Sequence, residues 1–183
     1  MLTVGACSRP QGVTLAQHQL TTIARTTKDV TMEIRLASRE DVETLVQLRM
    51  DFRNEMHPST DAEAAAFDAQ FRAYLAARLD TGRLAGILGF VGGEIASGAF
   101  LLVDDYPASC MIPHGRKGTL IYVYTYPAYR RRGYGRQIVD AAIAQGRELG
   151  LDVIDLDATD MGRGVYAQAG FEVREITPMR IVL

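Results

Sequence analysis

The chain has 183 residues and a mass of 20.1 kDa, the size of one ordinary domain with a sizeable core. Twenty cations stand against 22 acids, for a net charge of -2, and 48% of residues are hydrophobic, which excludes a disordered chain. The same balance argues against a nonspecific nucleic-acid binder, which needs a broad basic face.

Residues 1–31 are rich in Thr, Gln and small side chains and show little apolar periodicity. They read as an N-terminal extension, flexible in character, with the domain proper spanning 32–183. No run approaches the apolar length of a membrane span, and the first thirty residues lack the pattern of a secretory signal, so the expected compartment is the cytoplasm. Cys7 and Cys110 are isolated, and His18, His57 and His114 are scattered, which gives neither a disulfide framework nor a metal site.

From Met32 the texture changes. Residues 33–37 alternate as a strand, and Ser38 with Asp41 forms a capping box for a helix whose face carries Val42, Leu45, Val46, Leu48, Arg49 and Phe52. That helix ends near the polar stretch 53–58, which places Glu55 and His57 in a loop. Thr60 and Asp61 cap a second helix over about 62–79. The period then switches to two: 84–91 and 94–103 read as strands joined by Gly92-Gly93, whose tolerance of positive φ suits a two-residue hairpin. A third antiparallel strand is expected at 118–125. A glycine-rich turn at 130–135, a helix over 136–148, a strand at 153–157, a short helix at 164–168 and strands near 171–174 and 179–183 complete the order. Such an order predicts an α/β (α+β) fold with a mixed, mostly antiparallel sheet and helices on both faces.

The chemistry concentrates after the third antiparallel strand. Eighteen of the 20 cations are arginines, and Arg130, Arg131, Arg132 and Arg136 fall within seven residues around Gly133, Tyr134 and Gly135, directly before a helix. Glycines turn backbone N–H groups inward, the helix start adds partial positive charge, and the arginines add full charges, which together make a cradle for a pyrophosphate. Outside the leader the domain holds 17 cations and 21 acids, so this cluster stands on an acidic background. The dinucleotide fingerprint fails because Ile138 occupies its third glycine position, and no Gly-Lys-Ser/Thr triplet exists for a Walker loop.

Arg130-x-x-Gly133-x-Gly135 resembles the Arg/Gln-x-x-Gly-x-Gly/Ala signature of the GCN5-related N-acetyltransferases. The Tyr122-Val-Tyr-Thr stretch before it is similar to that family's fourth strand, and Tyr166-x-x-x-Gly170-Phe171 is similar to a second family block. The resemblance covers about 32–183. It implies the family's fold, with the sheet splayed between strands 4 and 5, acetyl-CoA as cosubstrate without a metal, and transfer of the acetyl group to a primary amine by direct attack in a ternary complex. It also implies site residues. The Val123 N–H becomes the donor to the developing oxyanion, and Val123, Tyr124 and Thr125 pair with the pantetheine arm. Arg130 through Arg136 hold the pyrophosphate, and Tyr166 serves the departing thiolate. Such an oxyanion donor is worth about 3 kcal/mol of barrier.

The acceptor amine raises the opposite difficulty. With a pKa of about 10.4 it is almost wholly protonated at pH 7, a deficit of roughly 4.6 kcal/mol unless a base, a water chain or a dry pocket removes the proton. Asp157 is a candidate base, and Glu55 a candidate base or substrate anchor. A noncatalytic acyl-CoA-binding or sensing module is the alternative reading. The sequence admits a homodimer, but no feature in it points to one.

Overall fold

The computed structural model describes residues 31–56, 60–175 and 178–182. The expectation for residues 1–30, and with it any role for Cys7, His18 and His57, lies outside the described residues.

Strand β1 (Glu33–Leu36) leads into the expected capping box. Ser38 Oγ accepts from the Glu40 N–H, and Asp41 accepts from the Ser38 N–H at 2.8 Å. A short 3₁₀ turn over 39–41 then feeds α1 (Val42–Met56). Glu55 therefore belongs to the last turn of α1, not to a loop as the sequence suggested, because the helix runs through the polar stretch as far as Met56. Thr60 and Glu63 make a second capping box at the start of α2 (Asp61–Arg78). Strands β2 (Leu84–Val91) and β3 (Glu94–Asp105) are joined at Gly92-Gly93, both at positive φ as the tight hairpin requires.

Strand β4 (Arg116–Thr125), helix α3 (Tyr134–Glu148), strand β5 (Val153–Asp155) and helix α4 (Asp160–Gln168) follow. The sheet runs β1-β2-β3-β4-β5, antiparallel except for the parallel pair β4/β5.

Alternation along β2 and β3 divides the core. Leu84, Leu88 and Phe100 face α1 and α2, where they pack with Leu45, Leu48, Leu75 and Leu79. Ile87, Ala99 and Leu101 face α3, where they meet Ile138, Val139 and Ala142. These side chains are almost wholly buried, and each large one contributes about 1.5–3 kcal/mol on removal from water. Gly86 lets α1 approach closely: a Cβ there would sit 2.9 Å from a Leu45 methyl.

The two terminal strands expected at 171–174 and 179–183 are not formed among the described residues, while Leu183 lies outside them. A strand exists through its ladder, and β5, the edge strand on that side, offers only three residues to pair with. Val173, Met179, Ile181 and Val182 are exposed instead.

Candidate active site

Two departures from regular pairing open the sheet where the chemistry was expected. Ile121 and Tyr124 of β4 pair with Phe100 and Gly98, so Tyr122 and Val123 together stand opposite Ala99. This is a β-bulge, with Tyr122 at φ +50°. Ser97 buttresses it from β3 by donating to the Tyr124 carbonyl at 2.8 Å. The second departure is the parting of β4 from β5. Their register covers Lys117–Thr119 against Val153–Asp155 and stops there, so the last six residues of β4 lose that neighbour.

The resulting cleft has a volume of about 650 Å³. Its walls are the Val123–Thr125 edge of β4, the loop and start of α3, the Gly162–Tyr166 face of α4, and Phe52, Glu55 and Met56 of α1. Thus Val123, Tyr124, Thr125, Arg130, Arg131, Gly133, Tyr134, Gly135, Arg136, Glu55 and Tyr166 are all brought to one place. Arg132 is exposed and outside the cleft lining. Asp157 is not brought there either. It is exposed in a separate trough with Lys117, Asp155 and Arg174, because β5 ends before it and the chain turns away toward α4.

The loop is shaped by its backbone. Arg131 and Gly133 have φ of +61° and +79°, and Gly133 precedes α3 with no side-chain cap. The N-terminal N–H groups of a helix capped in this way are donors for an anion. The four arginines divide into two kinds. Arg136 is tied to Asp140 one turn along α3, at 2.8 Å. Arg130 points back toward α1: its Nε donates to the Thr125 carbonyl at 2.8 Å and its Nη2 to Glu55 at 2.6 Å. Arg131 and Arg132 make no ion pair among the described residues. Of the two without an ion pair only Arg131 lines the cleft, while Arg130 and Arg136 line it with their guanidinium groups already bonded to Glu55 and Asp140.

In the cleft wall Tyr124 Oη donates to Glu55 at 2.9 Å, and just beyond it Tyr126 Oη donates to Asp51 at 2.9 Å. The Arg130 guanidinium holds the Glu55 carboxyl below its ordinary range, so Glu55 is ionised at neutral pH. Burial, then the hydrogen bond to Glu55, pushes the Tyr124 phenol up to about 12. Burial and the bond to Asp51 raise Tyr126 as well. Sequence reading missed Asp51 and Tyr126. Their signal was the i, i+4 pair Asp51/Glu55 on one helix and the alternation of Tyr124 at the end of β4 with Tyr126 just past it.

Tyr166 lies on α4 with its ring against Phe171, centroids 6.0 Å apart. Burial raises its pKa above the ordinary phenol value, so it is protonated at neutral pH and able to donate. No helix of the described residues is long and apolar enough to cross a membrane. No cluster of His, Cys, Asp or Glu among those residues could hold a metal.

Comparison with known proteins agrees with this geometry. The model of the acetyltransferase (GNAT) family matches residues 42–171. A GCN5-related N-acetyltransferase from Ralstonia eutropha is 28% identical with a TM-score of 0.71, over 82% of this chain and 99% of that one. A predicted acetyltransferase from Clostridium acetobutylicum, solved with acetyl-CoA, is 25% identical with a TM-score of 0.70, over 82% of this chain and 96% of that one. The aminoglycoside N-acetyltransferase AAC(6')-Iy in complex with CoA shares the fold at 19% identity, with a TM-score of 0.65 over 83% of this chain and 95% of that one. No curated protein matches the chain. The splayed sheet, the loop before α3 and the match over most of the domain lead to one conclusion: the chain belongs to the acetyltransferase (GNAT) family, acyltransferases that use acetyl-CoA.

Proposed function

We propose that the protein transfers the acetyl group of acetyl-CoA to a primary amine of a small molecule, peptide or protein by direct attack within a ternary complex. The observation that carries this reading is the convergence, in one cleft, of the β4 bulge at Val123, the uncapped start of α3 and the protonated Tyr166. Acetyl-CoA supplies the activated thioester. The residues present fit it: an extended strand edge at Val123–Thr125 suits amide pairing with a pantetheine arm, and the glycine turn with Arg131 suits a pyrophosphate.

In this reading the Val123 N–H, turned out of the ladder by the bulge, meets the negative charge that develops on the thioester oxygen. The Tyr166 hydroxyl stands ready for the departing sulfur. A thiol of pKa about 8.5 and a phenol above 10 make full proton transfer uphill, so Tyr166 acts mainly as a hydrogen-bond donor. Glu55, ionised and held between Tyr124 and Arg130, anchors the acceptor ammonium, which loses one proton to solvent. The neutral nitrogen then forms the C–N bond as the C–S bond breaks, and its second proton goes to the departing thiolate. Arg130 acts by positioning: through Glu55 and the Thr125 carbonyl it locks the loop to both α1 and β4. The domain that carries this activity is 32–183, and an acetyl-CoA-dependent reaction together with the exposed free Cys110 suits a reducing cytoplasm.

The test is release of free CoA from acetyl-CoA across a panel of primary amines. Tyr166→Phe should lower kcat by about tenfold to a hundredfold with little change in acetyl-CoA affinity by calorimetry. Unchanged turnover would remove Tyr166 from the mechanism. Tight acetyl-CoA binding with no CoA release for any amine would favour a noncatalytic acyl-CoA-binding module.

A further inference from the structure

Behind the α1 wall of the cleft lies a group of charges that the reaction above does not use. Arg49 and Arg53, one helical turn apart on α1, project toward α2, Arg53 to Asp68 and Arg49 to Phe71. Arg53 and Asp68 approach to 3.5 Å with side chains only 14% and 13% exposed, but this contact forms no hydrogen bond. Arg49 has no hydrogen bond or ion pair at all among the described residues. Its guanidinium lies over the Phe71 ring at 4.6 Å and near the Tyr122 ring at 5.4 Å. The Nε and Nη1 atoms of both arginines and Oδ1 of Asp68 are enclosed without a partner.

Enclosed donors without partners are rare in folded proteins, because each forfeits its hydration and gains nothing in return. Here they occur together, and their charges do not cancel: Asp68 stands against Arg53, while Arg49, stacked on Phe71 three residues along α2, has no carboxylate within ion-pair distance among the described residues. Arg72 faces Asp68 too, but it is already matched by Glu43 at 2.7 Å. The group therefore lacks one negative charge and several acceptor lone pairs. A planar carboxylate supplies both, since it accepts paired N–H groups from a guanidinium fork and carries a single charge. A phosphate dianion would overshoot the charge.

The position ties this vacancy in charge to the acceptor. Tyr122, whose ring covers Arg49, is the bulge residue next to Val123, and its ring lies 5.5 Å from that of Phe52, which lines the cleft. Arg49 is thus separated from the cleft by two aromatic rings, Tyr122 and Phe52. Arg49 Nη2 is not among the enclosed atoms, so that edge of the guanidinium is open.

We propose that Arg49 and Arg53 bind a carboxylate on the acceptor, so that the preferred substrate is a primary amine that also carries a carboxylate. The inference rests on the acetyltransferase reading for the identity of the amine end. The ammonium lies toward Glu55 and the Val123 bulge, and the carboxylate reaches past Phe52 and Tyr122 to the arginines.

The test compares β-alanine, 4-aminobutyrate and 6-aminohexanoate with the corresponding amino amides, using the full chain and acetyl-CoA. At least one acid should exceed its amide by tenfold or more in kcat/KM, chiefly through KM, as a site built for hydrogen bonding rejects an analogue that lacks the group. Arg49→Met and Arg53→Met should bring acid and amide together, and Arg49→Lys should restore part of the difference. The melting temperature of the Met variants should hold or rise, because an unpaired buried charge is removed. A Met variant that melts lower but keeps the acid preference would assign the arginines to packing and overturn the proposal. So would equal use of acids and amides by the native chain, or a stronger preference for 3-aminopropylphosphate. A second arm needs no turnover: 4-aminobutyrate should raise the melting temperature more than 4-aminobutanamide, and Arg49→Met should abolish the difference. Should no amine release CoA, the acetyltransferase reading fails alone, and the carboxylate site stands or falls on the melting arm.

Discussion

At the scale of single residues, the family signature was legible but the division of labour within it was not. Arg130 reads in sequence as one more cation for a phosphate, yet its guanidinium is bound to Glu55, 75 positions away, and to the carbonyl of Thr125. Sequence spacing cannot reveal that pairing, because only the packing of α1 against β4 brings Glu55 to it. Arg49 was legible in a different sense: it is an arginine on the apolar face of α1, a local conflict of the kind that marks functional positions. Gly162 carries a prediction at this scale. A Cβ there would sit 2.8 Å from Tyr166 Cε2, so the glycine fixes where the phenol ring lies. Gly162→Ala should lower kcat by about tenfold by displacing the hydroxyl about an ångström, with acetyl-CoA affinity by calorimetry little changed. The pH dependence follows from the raised Tyr166 pKa. Because its donating form persists above the ordinary phenol value of 10, the rate between pH 6 and 9 should show no alkaline fall caused by Tyr166.

At the scale of elements, local chemistry set most of the boundaries. Both helix starts on the α1/α2 side were marked by a capping box, and the Gly92-Gly93 turn placed β2 and β3. The Ser38 box is reinforced by Arg35, which donates to both carboxylate oxygens of Asp41 at 2.7 and 2.6 Å. The bond from Arg35 first, and then those from Ser38, hold Asp41 well below the usual carboxylate range. A depressed folded-state pKa means stability that is present above the ordinary value of 3.8 and is lost as pH falls below it. Asp41→Asn should cost about 1–2 kcal/mol at pH 7 by urea denaturation, and the difference from the native chain should shrink on acidification below pH 4. The terminal strands show the converse. Their alternating apolar residues read as strands, but a strand needs a neighbour, and periodicity in one segment carries no information about how long the available edge is, here the three residues of β5. Helix α4 was placed too short for a related reason: Thr159 caps it through the Gly162 N–H, ahead of the apolar positions that announced it.

At the scale of the whole molecule, the cleft exists because three elements meet where the sheet divides. Acetyl-CoA bound there would bridge β4, α3 and α4, and a ligand that binds only the folded state stabilises it by mass action, about 2.7 kcal/mol at a hundredfold excess over Kd. Acetyl-CoA should therefore raise the melting temperature of the full chain by several degrees in a thermal shift measurement, and no rise would count against the cleft as its site. The sequence by itself determined the order of elements through β5 and α4, the hairpin, the caps and the phosphate-type loop, since each depends on residues within a few positions of one another. The tertiary structure alone decided the β4 bulge, the parting of β4 from β5, the Glu55–Arg130 bond and the enclosed Arg49/Arg53 pair. Each of these joins segments far apart in the chain, and their geometry follows from packing two helical layers against one twisted sheet, which no local pattern encodes.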